Sequence, residues 1–175
     1  MDNKVLVNFS KFPFCFRCTK VKKFNFTNYL SKSDEFFVNF KLIIEKSLPH
    51  FTSKSFNELN RENNHVHIIR SNTKEYNIVK EVIKNLCMEY HNFENESEFE
   101  TWFNQNINDY EIWQLGVIGG VRLIGIRDMN EFGVLFIDYH HLIYPDIKNN
   151  QKNYDKNSFC PIKNYKKELV KWKKK

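Results

Sequence analysis

Residues 113–145 read WQLGVIGGVRLIGIRDMNEFGVLFIDYHHLIYP and hold two near-continuous apolar runs around a polar turn. Runs without alternation leave no face for water, so each belongs to a strand covered on both sides. The segment reads as a β-meander with strands at 111–117, 121–127 and 133–144. Gly116, Gly119 and Gly120 permit a tight turn or bulge between the first two. Asp128-Met129-Asn130-Glu131 supplies the second turn. In the third strand Val134 and Phe136 take one face and Leu135 and Ile137 the other, which makes it a central strand.

A sheet buried on both faces needs helices to cover it. The clearest is at 73–91, where Ile78, Val79, Val82, Ile83, Leu86, Cys87 and Tyr90 form one stripe at helical spacing. Asn72 is its expected cap, with Glu75 three residues on. A second helix at 96–106 uses Phe99, Trp102 and Phe103. Upstream, Phe12, Phe14 and Phe16, then Phe24 and Phe26, recur with a period of two, which predicts strands at 11–18 and 23–27. Residues 36–44 fit a strand or a short helix that Pro49 stops in either case. A short helix is expected at 53–59, where Ser55 and Glu58 stand at capping-box spacing, and a short strand at 65–70. The 159–162 segment is expected to return over the sheet. The fold expected is α+β: an antiparallel sheet around 111–144 packed by two or more helices. Residues 1–162 form one domain and 163–175 a basic tail or helix.

With 17 Phe, 8 Tyr and 3 Trp, the composition is that of a folded chain. Alanine is absent and asparagine occurs 23 times. That bias points to an AT-rich genome and cautions against assigning each Asn or Lys a role. The formal charge of +6 invites a nucleic-acid reading, but seven Lys and one Glu after residue 162 account for all of it. The rest of the chain is neutral. A basic tail binds phosphate or merely aids solubility. No apolar run approaches the ~20 residues that span a bilayer. A cytoplasmic chain with reduced cysteines is expected.

Several groups carry candidate chemistry. Asp138, Tyr139, His140 and His141 end the third strand, and Asp138 beside His140 can orient a ring for acid–base work. Arg122, on the neighbouring strand with Arg127, can grip a phosphate through paired hydrogen bonds. Together they suit metal-independent RNA cleavage. The plainer alternative is that Asp138 and the histidines close the strand through backbone hydrogen bonds while Arg122 pairs with Asp138. His65 and His67 share one face of a strand and make half of a metal site, although hydrogen-bonded structural histidines are the simpler reading. Cys15 and Cys18 form a lone CxxC, which a strand would splay to opposite faces. Basic and aromatic residues interleave in 12–26 and again in the tail, where Lys166, Lys167, Lys171 and Trp172 are candidates for nucleic-acid contact. Ordinary inward packing of the aromatics explains the same pattern. Walker A, dinucleotide-glycine, HExxH and GxSxG motifs are absent, so the sequence does not suggest an ATPase, an NAD enzyme, a zincin or an α/β-hydrolase, and it implies no cofactor.

The strings VRLIGI, FIDYHHLIYP and FCPI resemble an uncharacterised family of low-GC Gram-positive bacteria and their phages. More loosely, Trp113, Leu115, Arg122 and the Val134–Ile137 run are similar in order to the RelE/ParE-like toxins. That resemblance implies mRNA cleavage, with Arg122 on phosphate, His140 or Tyr139 near the reacting 2′-hydroxyl, and an antitoxin as partner. This chain is roughly twice the usual toxin length and its DYHHLIYP segment has no counterpart there. The function expected is a nucleic-acid-directed effector. The alternatives are a non-enzymatic phage or mobile-element protein that binds a host or defence protein and, more weakly, a metal enzyme built on His65 and His67.

Overall fold

The two apolar runs do pair, and they form the centre of a five-stranded sheet. The computed structural model describes residues 3–62, 65–117, 119–145 and 153–165. In chain order its elements are β1 (Leu6–Asn8), β2 (Lys20–Val21), β3 (Phe26–Thr27), α1 (Ser33–Leu42), α2 (Leu48–Thr52), α3 (Phe56–Glu62), β4 (His67–Ile68), α4 (Lys74–His91), α5 (Glu96–Asn106), β5 (Glu111–Gly116), β6 (Arg122–Asp128) and β7 (Glu131–Asp138). The main sheet runs β1-β7-β6-β5-β4, and β2 pairs with β3 in a separate ribbon. The protein is α+β. Its sheet is mixed, because β1 lies parallel to β7 while the other neighbours are antiparallel.

Both faces of β5–β7 are covered, as their composition demands. On one face the α4 stripe, Phe99 and Phe103 of α5, and Phe12 and Phe14 pack on Ile112, Ile124, Ile126, Leu135 and Phe136. On the other, Ile43, Phe51, Phe56 and Leu59 pack on Trp113, Leu115, Leu123, Phe132, Val134 and Ile137. Burying one such side chain is worth roughly 1.5–3 kcal/mol, so these two layers supply most of the drive to fold. The second layer comes from the weakly patterned 43–62 region.

Strict alternation along β7 fails at one place. The register shifts between Ile124 and Gly125, so Ile124 faces Phe136 while Gly125 faces Val134. Leu135 is the extra residue of a β-bulge, and it joins Phe136 on the α4 side instead of opposing it. Gly125 permits the bulge. A Cβ there would lie 2.4 Å from the Gly133 carbonyl oxygen and 2.6 Å from Cζ of Phe132.

Four other expectations change. Residues 11–18 are a series of turns closed by Cys15 N–H to Phe12 O and Arg17 N–H to Phe14 O, not a strand. Phe12 and Phe14 enter the core beneath α4, whereas Cys15 enters the opposite one. Of the 23–27 strand only β3 forms, after a 3₁₀ turn at Lys22–Phe24. Pro49 does not stop the helix begun at Ser33. A proline lacks the donor and clashes with the carbonyl four residues back. Here the Ile43–Ser47 segment widens into a π-turn and the helix continues as α2, with Pro49 in its first turn. The α4 cap is Thr73, whose hydroxyl accepts from Tyr76 N–H, in place of Asn72. The capping box of α3 forms as expected, with Ser55 N–H on the Glu58 carboxylate at 2.7 Å. No helix among the described residues is long and apolar enough to cross a membrane.

Gly125→Ala is expected to lower unfolding free energy by about 3 kcal/mol, because the methyl meets backbone and ring atoms that cannot both withdraw. Urea denaturation with an unchanged m-value checks it.

Candidate functional site

The end of β7 carries the polar cluster. Arg122 and Asp138 are cross-strand partners in register, and both are buried. Asp138 accepts from His140 N–H at 3.1 Å and Ile143 N–H at 2.9 Å. These bonds turn the chain out of the sheet, so β7 stops at Asp138, short of the expected 144. Burial pushes the Asp138 carboxyl up to about 6 against the opposing pull of those amides and of Arg122. Arg122 is equally committed. Its Nη1 donates to the carbonyls of Gly119 at 3.0 Å and Val121 at 2.8 Å, which holds the β5–β6 turn. Its Nε is buried without a hydrogen-bond partner. Burial lowers the pKa of Arg122 and Asp138 opposes that shift.

The remaining members do not converge on one space. Tyr139 packs in the core on the α3 side. Its hydroxyl is buried without a hydrogen-bond partner and its pKa is raised, first by burial and then by Cys18, Cys160 and Cys15. His140 is held by the N-terminal region: Nε2 lies 2.7 Å from Tyr29 O, and the ring stacks on Tyr154 at 4.0 Å. Burial lowers its pKa. His141 adopts φ 58° in the turn, and its ring meets that of His65 edge-on at 6.1 Å. Arg127 is spent locally: Nε donates to Met129 O at 3.0 Å, and the guanidinium covers Phe56 at 4.8 Å. Lys166, Lys167, Lys171 and Trp172 lie outside the described residues.

His65 and His67 take different partners. His67 meets Gln114 Nε2 at 3.2 Å and the Tyr144 ring at 4.9 Å. His65 lies against Gly116, where a Cβ would come within 2.6 Å of its own. It helps line a cleft of about 550 Å³ with Lys46, Ser47 and His50. Among the described residues no three His, Cys, Asp or Glu side chains are placed to hold one metal ion. The histidine pair therefore lacks a third ligand there. Of the CxxC pair, Cys15 donates to Phe9 O at 3.0 Å.

A different feature, missed in the sequence reading, is the outer face of α1. No residue of this ten-residue helix is buried. Phe37 is 66% exposed, Val38 59%, Phe40 36%, and Ile44 beyond it 42%. The inner side reaches the core through Phe36, and Phe40 is braced by Phe36 at 5.5 Å and by Phe16 edge-on at 6.2 Å. The helix is mounted at both ends. Leu30, just before it, exchanges backbone hydrogen bonds with Phe159, and Ile43 and Phe51 after it are core residues. The spacing of Phe37, Phe40 and Ile44 was visible in the sequence, but nothing there said which face of the helix would stay uncovered.

This is a mixed-sheet α+β protein whose polar cluster serves mainly to end a buried strand and hold its turns. The chain belongs to the family described as "Uncharacterised protein UU032", whose model matches residues 10–167. It is similar to "Uncharacterized protein UU032" of Ureaplasma parvum serovar 3 (strain ATCC 700970), with 28% identity over 144 residues, 81% of this chain and 72% of the relative. No solved structure matches it.

The buried carboxyl sets a pH dependence. Asp138 has a folded pKa raised above its ordinary 3.8 to about 6. Between these values the folded state keeps a proton that the unfolded state has released, so this group's contribution to stability falls as pH rises from 3.8 to about 6. Asp138→Asn is expected to remove that slope. It also costs about 1–3 kcal/mol at neutral pH, because one backbone N–H then faces an amide NH₂. Urea titrations of both proteins across this range test it; an identical slope in the variant would assign the dependence elsewhere.

Proposed function

We propose that this protein is a recognition module that presents α1 to an apolar groove on a partner protein. The observation that carries the reading is a helix with no buried residue that exposes Phe37, Val38 and Phe40 between charged ends. Phe37, Phe40 and Ile44 stand at i, i+3 and i+7, the anchor spacing of a helix seated in a groove. Large apolar groups grouped on one exposed face mark interaction surfaces, whereas single ones do not. Asp34 and Glu35 occupy the first turn, and Lys41 and Lys46 lie toward the C-terminal end. The groove that fits has a basic rim facing the start of α1 and an acidic one facing its end.

The competing reading, RNA cleavage of the RelE/ParE type, needs Arg122 on a phosphate and His140 or Tyr139 beside it. Arg122 is 3% exposed and turned to backbone carbonyls, and Tyr139 lies on the other face of the sheet. This arrangement favours recognition over catalysis. It also makes Arg122→Ala a poor probe of catalysis, since the substitution frees the β5–β6 turn.

Cross-linking from a photoreactive residue at position 38, followed by binding measurements with the purified captured protein, tests the proposal. Phe37→Ala and Ile44→Ala are each expected to weaken that complex by about 10–100-fold. Stability should change by less than ~0.5 kcal/mol, because both side chains are largely outside the core. Undiminished binding by the Phe37→Ala/Phe40→Ala/Ile44→Ala variant would defeat the reading. Multiple-turnover RNA cleavage by the pure protein would move the assignment to the toxin class. A concentration-dependent dimer abolished by the same substitutions would give the face to a second copy of the chain.

A further inference from the structure

Beside the π-turn lies the cleft of about 550 Å³ that His65 helps line. The α1 ridge makes no use of it. Lys46 and Ser47 come from the π-turn and His50 from α2, while His65 precedes β4. Gly116, Val117 and Gly119, at the end of β5 and in the turn after it, close the other side. No carboxylate lines the cleft among the described residues. In unbroken α-helical register Ser47 would follow Ile44 by three positions and share its face. The wider turn at Ile43–Ser47 instead carries it inward: Ser47 is 3% exposed and Ile44 42%. The Ser47 hydroxyl is buried there without a hydrogen-bond partner. Such groups are rare in folded proteins and call for a reason, and π-turns are themselves frequent at functional sites. The cleft is also positively charged from behind. Arg122 donates to Gly119 O at 3.0 Å, which sets its buried guanidinium beneath the turn. Burial first, then the charges of Arg122 and His67, lowers the pKa of His65. Glu45, next to Lys46, turns to Lys41 at 3.9 Å. Gly119 has φ 85°, and a Cβ there would meet nothing within 4 Å, so the turn faces open space.

We propose that this cleft binds a small phosphomonoester, its phosphate held by Lys46, His50, His65 and the Ser47 hydroxyl. Lys46 supplies a full charge and the two imidazoles supply N–H donors. The Ser47 hydroxyl turns about its C–O bond and fixes one oxygen at the floor. A terminal phosphate offers three acceptor oxygens and close to two negative charges at neutral pH. That suits donors arriving from separate elements, whereas a carboxylate offers two oxygens in one plane and a single charge. The volume decides against a bare phosphate ion. It falls within the ~300–1,000 Å³ of small-molecule clefts, which leaves room for an organic part against Phe51 and Val117.

The test follows backbone-amide NMR shifts of the full chain titrated with AMP, ribose 5-phosphate and inorganic phosphate, with ionic strength held constant by chloride. AMP or ribose 5-phosphate should shift the amides of Ser47, His65, Gly116 and Gly119 and saturate at one molecule per chain. Tighter binding of AMP assigns the organic part to a nucleoside, and the reverse order assigns it to a sugar. Inorganic phosphate should shift the same amides more weakly, and adenosine and ribose should leave them in place. Lys46→Gln should weaken binding of the better ester about tenfold. Ser47→Ala should weaken it about three- to tenfold while the melting temperature stays the same or rises, because an unmet hydroxyl stabilises nothing in the free protein. A merely structural Ser47 would show the opposite pair, a lower melting temperature and unchanged affinity. Should Ser47→Ala fold poorly, Lys46→Gln, at an exposed position, carries the test. Phe37→Ala should bind the ester as the parent does, so failure of the α1 reading and failure here are told apart. Absence of saturable shifts with either ester, shifts scattered over lysine-bearing surfaces, or unchanged affinity in Lys46→Gln would each overturn the proposal. So would a 5′-phosphorylated RNA that shifts these amides at lower concentration than AMP, which would give the cleft to a nucleic acid.

Discussion

Burial of β6 and β7 on both faces is the constraint from which the remaining structure follows. A strand with no polar side cannot lie at a surface, so each face needs its own layer. The α4–α5 pair covers one face, and the run from Ile43 to Leu59 covers the other. β1 closes the β7 edge by parallel pairing, through Leu6, Val7 and Asn8 opposite Glu131, Phe132 and Gly133. The N-terminal segment is thereby drawn across the sheet, with Phe12 and Phe14 in one core and Cys15 in the other.

The same constraint explains the polar residues at the end of the apolar run. A buried strand must stop, and its last amides need acceptors where water does not reach. Asp138 supplies them to His140 and Ile143. Arg122, beside it in register, supplies donors to the carbonyls of the adjoining turn. A carboxylate and a guanidinium at the end of a buried strand look like catalytic equipment in a sequence, because the residue types are the same. Their partners distinguish the roles. In a site their hydrogen bonds point at a space for substrate; here the ones they make go to the protein's own backbone.

Legibility followed the range of the interactions. α5 and the cores of α4, β5, β6 and β7 could be read because their apolar periods are local. The bulge at Leu135 could not, since alternation carries no sign of an inserted residue and only the glycine opposite hints at it. The turns at 11–18 hid behind a period of two that reflects entry into two cores. At His140 the decisive partners are Tyr29, Tyr154 and Asn157, supplied by segments far away in sequence. The π-turn before Pro49 was illegible because the proline rule assumes α-helical register.

Composition alone does not account for the ridge on α1. The chain is rich in phenylalanine and has no alanine, so some rings would reach the surface by drift. Drift scatters them. The other exposed large apolar residues, Leu6, Ile68, Tyr110, Met129 and Tyr165, belong to different elements and turns. Among 17 phenylalanines only Phe37 and Phe40 are classed as exposed, and they sit one turn apart on one helix beside Val38 and Ile44. Fifteen others found cover, so the fold had the means to hide these two. The helix also starts three residues after Leu30, where the strap through Phe159 and Cys160 is fastened. The ridge is thus carried by a helix that the Leu30–Phe159 bridge fastens at its start and the core residues Ile43 and Phe51 fasten at its end.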